Sequence, residues 1–174
     1  MTVTAPSTRA LRWPAVRLWL GTAARLGLAA VWLLAGASKV DDLAASGRAV
    51  NAYQVLPYDV STVVGAALPF VELALGVLLL LGLATRLTAG ISAALLVIFI
   101  TGIASAWARG LAIDCGCFGS GGQLAEGQAP SYLPEILRDL GFLVMAGFLL
   151  IWPRTPVSVD GWLTGEPVVE DEDE

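Results

Sequence analysis

Residues Ala89 to Ala108 read AGISAALLVIFITGIASAWA, a run without one charged side chain. At ~1.5 Å per residue, ~20 such residues make a helix as long as the hydrocarbon core of a bilayer is thick. The stretch predicts a membrane-spanning helix, and the composition of the chain agrees. Hydrophobic residues make up 56% of the 174 and charged residues only 14%, with a mean hydropathy of +0.74. Soluble domains usually carry about a quarter charged residues, and a soluble protein this poor in charge would struggle to cover its surface. The net charge of -5 owes much to the acidic run Glu170 to Glu174, which reads as a solvated tail rather than a binding site. The length suits one domain.

Working outward, three more apolar segments flank this one. The spans expected are 18–37, broken by Arg25; 60–83, interrupted by Pro69 and Glu72; 89–108; and 134–152, with Glu135, Arg138 and Asp139 in its first turns. Around them lie a polar start at 1–17 with Arg9, Arg12 and Arg17, a loop at 109–133 and an acidic tail at 153–174. Ala35-Gly36-Ala37 resembles a signal-peptide cleavage site, but the length of the first segment and the spans that follow favour an uncleaved helix. Between the first two spans, Leu43 to Leu56 has the makings of a short amphipathic helix at the interface, with Tyr53 and Tyr58 at headgroup level. The expected fold is all-α, an integral membrane antiparallel four-helix bundle, because helices joined by brief connections pack as neighbours. Gly21, Gly27 and Gly36 read as small residues that let membrane helices approach.

Lys and Arg favour the side of the termini: Arg9, Arg12, Arg17, Arg86 and Arg154 against Lys39, Arg48 and Arg109. Both termini are therefore expected in the cytoplasm of a plasma-membrane protein, and the 109–133 loop outside. Arg25 and Glu72 each fall within an apolar span, where an unpaired charge is costly. Their matching distances from the outer ends of neighbouring helices predict that they pair, either as a structural ion pair or as a polar floor for a quinone or a proton path. Lys39, at the outer end of the first helix, would snorkel. Arg138 would either neutralise Asp139 or stabilise a thiolate.

Both cysteines sit in Asp114-Cys115-Gly116-Cys117-Phe118-Gly119, a Gly-punctuated turn between hydrophobic segments. Two thiols so close, in a loop, read first as a redox pair. The alternatives are half of a metal site, which would need a partner chain because the sequence has no His and no further Cys, and inert packing. No metal is expected in the chain by itself, and no nucleic-acid partner. The exocytoplasmic side is where disulfides persist. Asp114 beside Cys115 would hold that thiol protonated, so Cys117 is the favoured attacking thiol. A disulfide in so small a ring would be strained and would pass its oxidation on readily. The pair would need a second electron carrier, a membrane quinone or the thiols of another protein.

Arg25-Leu26, Ala35-Gly36-Ala37-Ser38-Lys39-Val40, Leu56-Pro57, Pro69-Phe70-Val71-Glu72-Leu73, Gly76 and the Asp114 to Gly119 box together resemble the MauE/DoxX-type redox-associated membrane proteins. The resemblance covers roughly residues 20 to 152, and the Cys-Gly-Cys-Phe-Gly box narrows it to the MauE side. It implies a four-helix membrane protein. For MauE it implies methylamine utilisation, through disulfide formation in, or export of, the small methylamine dehydrogenase subunit. For DoxX it implies sulfur redox and oxidative-stress complexes.

Three functions remain in view. One is a thiol-disulfide oxidoreductase or maturation factor working through Cys115 and Cys117 on a thioredoxin-like or exported partner. Another is a subunit of a membrane oxidoreductase complex acting on sulfur compounds or quinone, its pocket lined by Glu72 and Arg25. The last is an assembly scaffold whose cysteines are structural or share a metal with a partner.

Overall fold

The computed structural model describes residues 8–116, 121–124, 128–153, 155 and 158–160, with side chains from Val16 onward. It is mostly helical: α1 (Thr8–Ala37), α2 (Leu43–Ala52), α3 (Tyr58–Leu81), α4 (Thr85–Ala108) and α5 (Tyr132–Ile151), with a small hairpin of β1 (Ile113–Asp114) and β2 (Gly122–Gln123) before α5. Three helical stretches among the described residues are long and apolar enough to cross a membrane: Val16–Ala37, Tyr58–Leu81 and Thr85–Ala108. The stretch expected as a fourth span forms the helix α5, but Glu135, Arg138 and Asp139 in its first turns leave it short of the uncharged length that a bilayer demands. Helix α1 begins at Thr8, inside the stretch read as a polar start.

Large apolar side chains point outward all along the helices: Val63 is 69% exposed and Val144 72%. So broad an apolar exterior is foreign to a monomer in water and suits contact with lipid. The interior holds the polar groups instead, including Arg25, Lys39, Glu72, Ser92 and Asp139. Trp32 of α1 donates its indole N–H to Ser92 Oγ of α4 at 3.0 Å, a buried bond that ties two helices through the core.

Helix α1 packs against α3 and α5, and α4 against α5 and α3. The α1–α3 contact is antiparallel and close. A Cβ at Gly36 would fall 2.8 Å from the Pro69 carbonyl oxygen, and one at Gly76 would fall 2.6 Å from Leu33 Cγ. These small residues fix the register as the sequence suggests they would. The short helix α2 was expected at the interface, with both tyrosines beside it; it packs directly on α3. Asp42 caps it by accepting from Ala45 N at 2.8 Å, and its face of Ala45, Ser46, Gly47, Ala49 and Ala52 is buried. A Cβ at Gly65 of α3 would fall 2.5 Å from Gly47 Cα, so the two backbones cross in near contact.

That crossing offsets α3 from α1. The second turn of α3 crosses α2 at Thr62 and Gly65, and further along Pro69, Leu73 and Gly76 pack on Gly36 and Leu33 of α1. Arg25 and Glu72 consequently lie at different depths. Glu72 meets Lys39, with Nζ donating at 2.7 Å to Oε1 and 2.9 Å to Oε2. Arg25 lies against Gly82, past the far end of α3, where Asp160 supplies the nearby negative charge. The expected Arg25–Glu72 pair is thus replaced by two separate arrangements, and Lys39 is buried in an ion pair rather than snorkelling.

Asp160 also completes α4. Ala84, at the N-cap position of α4, has a left-handed backbone (φ 47°) and no side-chain cap. The Asp160 carboxylate accepts from Ala84 N at 2.8 Å and Thr85 N at 2.9 Å, satisfying two orphan donors. Burial pushes the Asp160 carboxyl up, but these bonds and the nearby Arg25 outweigh it, and the net direction is below the ordinary value. Asp160→Asn should therefore cost about 1 kcal/mol, as loss of a helix cap does. Because the native value is the depressed one, this contribution is present above the ordinary carboxylate range and is lost as pH falls through the native value. Melting of both proteins in detergent at neutral and acid pH checks it: the gap between them should close in acid.

Candidate functional site

Asp114, Cys115 and Gly116 sit at the end of the helices that also carries Lys39 and α2. Residues 117–120, which include Cys117 and Phe118, lie outside the described residues. The placement of Cys115 is built from both flanks. Strand β1 pairs with β2 in antiparallel register, Ile113 opposite Gln123 and Asp114 opposite Gly122, so Cys115 leaves the hairpin at its mouth. Ile113 is buried beside Ala52, Ile103, Ala106 and Tyr132, and Cys115 packs against that cluster. Tyr132 anchors the hairpin: its hydroxyl donates to the Leu111 carbonyl and accepts from Ile113 N at 3.2 Å.

Beyond Cys115 the chain turns at Gly116, whose φ of 68° favours glycine. Its N–H donates to Asp114 Oδ1 at 2.8 Å, an Asx-type turn that engages the carboxylate locally. Helix α2 forms the floor. Added Cβ atoms at Gly116 and Gly121 would meet Ala49 Cβ at 3.3 and 3.1 Å. Tyr53, at the end of α2, donates its hydroxyl to the Cys115 carbonyl at 3.1 Å. Arg109 in turn donates to the Tyr53 carbonyl and, at 3.4 Å, to that of Gln54. Tyr53, which the sequence suggests as a headgroup-level residue, thus also fixes the backbone of the cysteine.

The side chains around Cys115 Sγ come from the first turns of α5. Arg138 Nη2 lies 3.8 Å from the sulfur, within sulfur hydrogen-bond range. The same guanidinium bridges to Asp139 Oδ1, at 3.0 Å from Nε and 2.9 Å from Nη2. Arg138 thus neutralises Asp139 and at the same time stands beside the Cys115 sulfur. A Glu135 carboxylate oxygen stands within 4.8 Å of Cys115 Sγ. The sulfur and the nearest carboxylate oxygens of Asp114 and Glu135 all lie within 4.8 Å of one another. Cys115 itself is half-buried.

Chemically, the sulfur has a cation beside it to stabilise a thiolate and a carboxylate in reach to take or return its proton. As metal ligands the described groups give two hard oxygens and one soft sulfur, one short of a tetrahedral site and mixed in preference. Of the residues expected to matter, Cys115, Asp114 and Arg138 come together. Lys39 and Glu72 pair deeper at the same end, and Arg25 lies at the opposite one.

In the sequence Glu135 reads only as a charge opening a helix, and Asp139 only as a partner for Arg138. Their i, i+4 spacing, with Arg138 at i+3, was the signal that all three share one face. The participation of Tyr53 had no local signal.

No significant match was found among curated proteins or among solved structures. The family profile described as methylamine utilisation protein MauE matches residues 17–152, from the start of the membrane stretch of α1 to the residue after α5. With the apolar helices, and with most of the chain inside the match, this makes the protein a membrane protein that belongs to the MauE family.

Proposed function

We propose that the protein is a membrane thiol-disulfide exchange factor acting through Cys115 and Cys117 on an exocytoplasmic partner, in a maturation step of the methylamine-utilisation type. The observation that carries this reading is the placement of Cys115 Sγ 3.8 Å from Arg138 Nη2 and within 4.8 Å of a Glu135 carboxylate oxygen.

In the exchange, a partner thiolate attacks Cys117 Sγ of the disulfide and the Cys115–Cys117 bond breaks. Cys115 departs as a thiolate, stabilised by Arg138, and Glu135 supplies its proton. A second partner thiolate then attacks the mixed disulfide, leaving the partner oxidised and Cys117 reduced. The cycle closes when a second carrier, a membrane quinone or another protein's disulfide, removes the two electrons. Run backward, the same steps reduce the partner.

The accompanying topology has both termini in the cytoplasm, α5 crossing as a fourth span to complete an antiparallel bundle, and the cysteine loop outside. A membrane-impermeant thiol reagent added to intact, reduced cells should therefore label the cysteines; labelling only after permeabilisation would reverse the orientation.

The exchange reading is tested by counting thiols. Protein purified without reductant should resist alkylation, and after dithiothreitol it should take up one group at each of the two cysteines. A chain that alkylates fully without reductant, and that a mild thiol oxidant cannot protect, would act as a scaffold instead.

A further inference from the structure

Between α1, α3, α4 and α5, below the cysteine site, lies a cavity of about 20 Å³, bounded by Trp32, Ala35, Glu72, Phe99, Asp139 and Phe142 among others. That is room for one water and far too little for a quinone ring. Two of its walls are carboxyl groups on facing helices. Asp139 is 2% exposed; Arg138 binds its Oδ1, while Oδ2 is buried with no hydrogen bond from a protein group. Glu72 is 1% exposed and both its oxygens accept from Lys39 Nζ. A carboxylate oxygen buried without a donor is costly, and a bridging water or a proton removes that cost.

On its other side, Asp139 stands one helical turn from Glu135. Glu135 also has a buried oxygen, Oε2, without a hydrogen bond, and its carboxylate comes within 4.8 Å of Cys115 Sγ. The charged groups around this row are Lys39 from α1, Glu72 from α3, Arg138 from α5, and Asp114 from the hairpin. Where it borders the cavity α4 brings none, and its Ser92 is occupied by Trp32.

We propose that Glu135, Asp139, one water in the cavity and Glu72 form a proton relay that carries the Cys115 proton into the helix interior and back. This rests on the exchange reading above. When the Cys115 thiol is deprotonated its S–H bond breaks, the electron pair stays on sulfur, and the proton forms an O–H bond on Glu135. It then passes to Asp139 Oδ2 and, through the water, to Glu72, where Lys39 neutralises the charge that remains when the proton returns. No electron moves along this row. Acid–base chemistry at a half-buried sulfur is thereby served from beneath, leaving the outward face of the loop to the partner protein.

The test is oxidised-minus-reduced infrared difference spectroscopy on the full-length protein in lipid nanodiscs, with thiol content followed in parallel by alkylation. A protonated-carboxyl band should change with the redox state of the cysteines. Asp139→Asn should abolish it, Glu72→Gln should shift it, and Asp139→Glu should retain it. Cysteines that interconvert with a silent carboxyl region would overturn the relay and leave the exchange reading standing, as would a band unmoved by both amide variants. Cysteines that do not interconvert would remove the exchange reading and the relay together. Should Asp139→Asn fail to fold, Glu72→Gln and Asp139→Glu decide alone: an unshifted band in the first or a lost band in the second overturns the proposal.

Discussion

A Cys115→Ser variant should accumulate a covalent complex with its partner that dissolves on adding reductant, and Cys117→Ser should not. Run in the reducing direction, the proposed exchange has Cys117 attack the partner's disulfide and Cys115 resolve the mixed disulfide, so removing Cys115 stalls the reaction halfway. The surroundings of Cys115 suit the resolving role. It is half-buried, its carbonyl is held by Tyr53, and Arg138 and Glu135 are in place to stabilise a departing thiolate and handle its proton. The effect expected is close to all-or-none, because the chain has no other thiol to take over. Neither Ser substitution should remove the protein from the membrane, since the apolar helices and not the loop hold it there. Non-reducing gels of affinity-purified protein, compared across both single variants and the double variant, read the result. Equal trapping by both single variants would remove the division of roles, and normal function of the double variant would remove the redox chemistry itself.

Lys39→Met alone should destabilise the folded protein by about 3–5 kcal/mol, and adding Glu72→Leu should recover most of that loss. The side chains are 5% and 1% exposed and bonded through both carboxylate oxygens, so neither charge has water to fall back on. Losing one partner leaves the other uncompensated in an apolar surround, whereas replacing both with apolar groups of similar size leaves nothing to compensate. Thermal melting in detergent of the two single variants and the double variant forms a complete cycle. The same cycle run on Arg25 and Glu72 should be additive, because the offset of α3 puts them at different depths. Strong coupling between Arg25 and Glu72 would restore the pairing first inferred from the sequence.

The chain by itself determined a good deal. The uncharged run Ala89 to Ala108 required a bilayer, because no other surroundings suit a helix so uniformly apolar. The polar breaks placed most helix ends to within a few residues, since local propensity and hydropathy act over the same short range, but missed the start of α1 at Thr8 by ten. The family was legible from the box at Asp114 to Gly119, where the identity of each residue matters more than its neighbours in space. The partners of buried charges were not legible, for a physical reason. A charge within an apolar span must be neutralised, and the sequence says so, but which group neutralises it depends on how far one helix slides along the next. That slide is set by Gly47 against Gly65, a contact between segments joined by a turn, which lifts the start of α3 past the end of α1 and hands Glu72 to Lys39. In the same way Asp160 finds the start of α4 some 76 residues back, and Glu135 finds Cys115 across the hairpin. Composition and local pattern decided that these groups had to be satisfied; only packing at long range decided by whom.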